Sequence, residues 1–119
     1  MNWLAVFIGG GLGSIARFGI SRLFANLEIT QFPIATFLAN IIGTGILAVV
    51  IYKFVLPSTH WSFYFVAIGF CGGFSTFSTF SLETIHLLKN GQIVWAITNV
   101  AVSIIFCLVL VYLLSKHIK

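Results

Sequence analysis

Charged side chains are scarce in this sequence. Six Lys/Arg and two Asp/Glu make up 7% of 119 residues, against about 25% in a soluble domain. So few charges cannot clothe a water-facing surface, which excludes an ordinary cytosolic enzyme and a disordered tail. The two cysteines, Cys71 and Cys107, exclude a secreted disulfide scaffold and share no metal-type spacing. Each is expected to be a small buried hydrophobe. No Ser-His-Asp set or carboxylate pair reads as an enzyme. Gly9 to Gly13 lacks the Lys-Ser/Thr ending of a phosphate loop, so close helix packing is expected there. No Lys or Arg precedes the first apolar run and no small-x-small cleavage site ends it, so a retained helix is expected rather than a signal peptide. The net charge of +4 is scattered at span ends with no basic cluster, which argues for headgroup anchoring and against nucleic acid.

What the chain has is apolar length. Sixty per cent of it is hydrophobic and the mean hydropathy is +1.13. That composition belongs to an integral membrane protein. At about 20 apolar residues per helix, four spans fit and five would leave almost no loops. The expected spans are about 3–24, 33–56, 61–88 and 93–115, in a single four-helix transmembrane domain. Pro33 suits the first turn of span two. Pro57-Ser-Thr-His60 and Lys89-Asn-Gly-Gln92 read as turns, and residues 26–31, NLEITQ, as a linker. Trp3, Trp61 and Trp95 fall near span ends, as an interfacial belt would. His60, His86 and His117 are isolated and read as interfacial or tail residues.

Four spans put Lys53, Lys116 and Lys119 on one side and Arg17, Arg22 and Lys89 on the other. The positive-inside rule then gives no preferred orientation beyond the terminal amine. Two readings stand at this point. A chain without a preference can insert both ways up and pair as an antiparallel dimer, or a short chain simply has few charges to count.

Polar residues inside a membrane are costly and face protein or water. Thr36, Asn40 and Thr44 make one helical stripe on span two, with Gly43 beside it. Asn99, Ser103 and Cys107 make another on span four. Either stripe alone is explained as helix–helix glue. Span three differs: it reads GFCGGFSTFSTFSLE from Gly69 to Glu83, with five hydroxyls between Ser75 and Ser81. Gly72-Gly73 is the expected place for a helix break, which would free carbonyls that lipid cannot satisfy. Phe77 and Phe80 adjoin at i, i+3, and Thr76, Phe80 and Glu83 share a stripe. Hydroxyls and an Asn amide donate hydrogen bonds, and phenyl rings have positive edges. Glu83 is the lone carboxylate within a span, whereas a cation path would show acidic rings. The lining therefore suits a small anion that must shed water.

These residues carry a resemblance. Over nearly its whole length the chain resembles the Fluc/CrcB fluoride channels: GGGLGSIARF near the start, Pro33 with Asn40-Ile-Ile-Gly43, and above all GFCGGFSTFSTFSLE. The resemblance implies an all-α, four-span, dual-topology dimer with two antiparallel pores that lets cytoplasmic fluoride leave passively, giving fluoride resistance in the cell membrane. It implies that Phe77 and Phe80 offer ring edges to the ion and that Asn40 donates to it. Ser103 and Asn99 match a polar track on span four, where a tyrosine frequently replaces Asn99. Thr76, Thr79 and Glu83 match polar positions below the phenylalanines, and Arg17 a vestibule arginine. A structural Na+ on the dimer axis is implied at the backbone carbonyls of Gly72 and Ser75. The partner is a second identical chain or a paralogue. The runner-up is a small dual-topology multidrug proton antiporter, which needs a carboxylate deep in the membrane that span one does not have. A non-catalytic anchor subunit of a respiratory enzyme would need facing His ligands within the bilayer.

Overall fold

The computed structural model describes residues 1–25 and 32–118. The expected linker at 26–31 lies outside the described residues. Among the described residues, four segments are long and apolar enough to cross a membrane: Asn2–Ala25, Ile34–Tyr52, Trp61–Lys89 and Ile93–His117. The first is α1 (Asn2–Ala25) and the second α2 (Ile34–Tyr52). The third is composite. A single turn, α3 (Trp61–Phe63), runs into a π-helical stretch (Tyr64–Phe70) and a short α4 (Cys71–Phe74). After two extended residues comes α5 (Phe77–Lys89), and the chain ends in α6 (Ile93–His117).

Glycine decides how α1 meets the first half of the third segment. Gly9 and Gly13 of α1 lie four apart, as do Gly69 and Gly73 opposite them. A Cβ on Gly9 would collide with the Phe65 carbonyl oxygen, and one on Gly13 with that of Phe70. In return, a Cβ on Gly69 would lie 2.9 Å from the Val6 carbonyl oxygen, and one on Gly73 would collide with that of Gly10. Two small-xxx-small motifs thus interlock backbone to backbone.

The remaining joints follow local chemistry. Hydropathy carries span two to Leu56, but α2 ends at Tyr52. Phe54 N–H reaches back to the Val49 carbonyl, Val55 sits at φ 45°, and Leu56 precedes Pro57, which disfavours helix there. The Asn90-Gly91 turn closes α5 as its residues predict. Gly91 takes φ 76°, Gly91 N–H bonds the Leu88 carbonyl and Gln92 N–H the Leu87 carbonyl, the double bond of a Schellman stop. α6 then returns against both α5 and α2, and Gly45 leaves room for Leu110.

Candidate functional site

The extended residues are Ser75 (φ −82°, ψ 156°) and Thr76 (φ −152°, ψ 120°). They fall after the glycine pair, not on it: Gly72 and Gly73 are helical, within α4. Glycine's freedom is therefore unused as a breaker, and Gly73 serves packing instead. Competing hydrogen bonds take the chain out of the helix two residues later. Thr76 Oγ1 accepts from Thr79 N–H at 3.1 Å, capping α5. Thr76 N–H donates to Asn40 Oδ1 at 2.7 Å, and Asn40 Nδ2 donates to the Thr76 carbonyl at 3.3 Å. Because the Oδ1 partner is an N–H, the orientation of the Asn40 amide is settled by its bonds. One of its two amide hydrogens is left over.

That spare donor stands in the wall of a cavity of about 340 Å³. Asn40 and Thr44 come from α2, Ser75 and Thr76 from the extended turn, and Phe77 and Phe80 from α5. Ser103, Ile104, Cys107 and Leu108 of α6 close the far side. The ring centroids of Phe77 and Phe80 are 5.7 Å apart at an interplanar angle of 36°. Phe80 is buried, whereas Phe77 is 79% exposed at the rim. The N-terminus of α5 opens on the same cavity. Its first N–H groups and helix dipole favour negative charge there, and no carboxylate is among the lining residues.

Of the residues expected at the site, Asn40, Ser75, Thr76, Phe77, Phe80 and Ser103 converge on this cavity; Thr79, Glu83, Asn99, Arg17 and Gly72 do not line it. Thr79 supports the turn from behind, within 3.2 Å of Thr76 Oγ1. Glu83 lies further along α5 and accepts from Thr36 Oγ1 at 2.8 Å, while its Oε2 is buried without a partner. It lines a separate pocket with Pro33, His86, Asn90 and Gln92. Arg17 Nε donates to the Gly73 carbonyl at 3.1 Å, tying α1 to the turn. Asn99 shares the Ser103 stripe yet is only 1% exposed, and it faces α5 rather than the cavity. Its partner there, Thr84, is a residue the sequence did not single out. Its only signal was its place four after Phe80, where a hydroxyl can bond back to a helix carbonyl. Thr44 and Cys107 had been placed on polar stripes without a role, and both line the wall.

Four helices long and apolar enough to cross a membrane, with an open cavity shared by the second, third and fourth of these segments, define a small multi-pass membrane protein. The sequence matches the family described as CrcB-like protein, Camphor Resistance (CrcB), over residues 4–114. The chain belongs to that family. It is 44% identical over 106 residues to a protein of Enterobacter sp. (strain 638), covering 86% of this chain and 81% of that one. It is 40% identical over 111 residues to one of Coxiella burnetii (strain Dugway 5J108-111), covering 91% and 90%. A third, from Ruminiclostridium cellulolyticum, is 39% identical over 110 residues, covering 91% and 85%. All three are named fluoride-specific ion channel FluC. Those names describe a channel, not an enzyme, and give the antiporter reading no support.

Proposed function

We propose that this protein is a fluoride-selective channel that lets the anion leave the cytoplasm across the cell membrane. The observation that carries the proposal is the Asn40 amide, held at both ends by the Thr76 backbone with one N–H to spare at the cavity wall. An oriented donor loses no freedom when an ion arrives, so its hydrogen bond offsets part of the lost hydration. The Ser103 and Thr44 hydroxyls, the rims of Phe77 and Phe80 and the first turn of α5 complete a lane of partial positive charge. Fluoride, the smallest halide and the strongest acceptor, gains most from closely spaced donors. A negative-inside potential drives it outward by about 2.3 kcal/mol per charge per 100 mV, so no coupled energy source is required.

The channel works as an antiparallel pair of identical chains with one pore per subunit. Balanced Lys/Arg counts on the two sides support insertion both ways up. The exposure of Phe77 at the cavity rim leaves its ring free for a second subunit to cover, which supports this reading. We read Ser75-Thr76 as the functional break of the third span. A continuous helix would pair Thr76 N–H with the Gly72 carbonyl and Thr79 N–H with the Ser75 carbonyl. Here both N–H groups are taken by Asn40 Oδ1 and Thr76 Oγ1. The two carbonyls are thereby released, and around Gly72 there is open space. Such carbonyls suit a hard cation such as Na+, which would supply fixed positive charge that braces two opposed subunits. Gly72 and Ser75 are the residues that would hold it.

The test is efflux from liposomes loaded with potassium fluoride or potassium chloride and followed by ion-selective electrodes. Fluoride is expected to leave fast and chloride to be retained. Vesicles tight to fluoride, or equally leaky to both, overturn the proposal.

A further inference from the structure

We propose that Asn99 and Thr84 are positioning residues for the anion path, acting through Ser103; the inference rests on the channel reading of that same cavity. Ser103 of α6 and Phe80 of α5 stand in its wall. Behind them runs an unbroken chain of hydrogen bonds. Ser103 Oγ donates to Asn99 Oδ1 at 3.3 Å, Asn99 Nδ2 donates to Thr84 Oγ1 at 2.9 Å, and Thr84 Oγ1 donates to the Phe80 carbonyl at 2.8 Å. Asn99 is the most enclosed polar side chain among the described residues, at 1% exposure, so its amide has no water to turn to.

The direction of the chain is set at its Phe80 end. Thr84 has one hydroxyl hydrogen and gives it to a helix carbonyl, so toward Asn99 it can only accept. It must therefore face the Asn99 NH2, which leaves Oδ1 for Ser103. A threonine outside the cavity lining thus determines which end of the amide Ser103 meets. The last link is the weak one: 3.3 Å is long for a hydroxyl donor, whose usual distance is about 2.7–2.8 Å. Ser103 keeps a defined orientation between ions and can release its hydrogen to an anion in the cavity.

The test uses full-length protein in liposomes, with flux normalised to folded protein by size-exclusion elution. Thr84→Val keeps the shape and removes the hydroxyl. It is expected to cut fluoride efflux about tenfold, the effect of roughly one good hydrogen bond, while Thr84→Ser stays within about twofold. The deciding readout is the double-mutant cycle with Ser103→Ala. If Thr84 acts through Ser103, Thr84→Val adds no further loss to Ser103→Ala. Losses that multiply, or a Thr84→Val channel with full flux, overturn the positioning role. Asn99→Leu in the same cycle decides the matter if Thr84→Val does not fold. Wild-type vesicles that hold their fluoride would overturn the channel reading itself, whereas wild-type release with unaltered Thr84→Val release sinks only the positioning role.

Discussion

The two halves of the third span are held in place by different physics. From Trp61 to Phe74 it lies on α1 with glycine backbones in contact, and shape does most of the work, beside one hydrogen bond from Arg17 to the Gly73 carbonyl. From Phe77 to Lys89 it is held by named hydrogen bonds: Thr76 to Asn40, Glu83 to Thr36 and Thr84 to Asn99. Within a membrane, lipid tails compete with apolar packing but offer nothing to a donor. The first half is therefore a scaffold that tolerates no added atom at Gly69 or Gly73. The second half can present unspent donors to a cavity without losing its place. Structural burden and cavity lining are separated along one span, with Ser75-Thr76 as the border.

That contrast can be broken in order of expected effect. Gly13→Ala puts a methyl group into the Phe70 carbonyl and within 2.8 Å of Phe74 N, both backbone atoms that cannot swing aside. Overpacking of this kind costs about 1–3 kcal/mol or more, and the yield of protein eluting as a folded species is expected to collapse. A normal yield would mean that α1 is not locked by shape. In the second half, Asn40→Asp is expected to suppress fluoride efflux per folded protein by at least about tenfold, since a carboxylate repels the anion and loses both the spare N–H and the one that the Thr76 carbonyl holds. Phe80→Ile keeps the apolar volume and removes the positive ring edge, with an expected loss of up to about tenfold. If either variant conducted fully in the liposome assay, its side chain would not meet the ion. The smallest effect sharpens the first. Gly11→Ala, two residues from Gly13, meets nothing within 4 Å. It is expected to raise stability by about 0.4–1 kcal/mol through the unfolded chain, seen as a small upward shift in the thermal midpoint in detergent.

Legibility in the sequence followed the range of the interaction. The Asn40 stripe, the Phe77/Phe80 pair and the Asn-Gly stop could be read because each rests on helical spacing or local turn chemistry within one segment. Asn99 was readable as polar and in line with Ser103, but whether it faced the cavity or α5 depends on a partner fifteen residues away. Thr84 was invisible for the same reason. Gly72-Gly73 illustrates the opposite error. Its composition suggests a break, yet α1 claims Gly73 for packing, and Asn40 together with the Thr76 cap moves the extended residues to Ser75-Thr76.

Hydropathy alone determined that this chain forms four apolar helices, because transfer into lipid is additive along a segment. Spacing alone determined which polar residues share a face. Tertiary structure decided which of those faces became a wall, which became a brace, and where the third span leaves the helix. Hydrogen bonds between helices are set by who arrives opposite whom, and that is a property of the packed bundle.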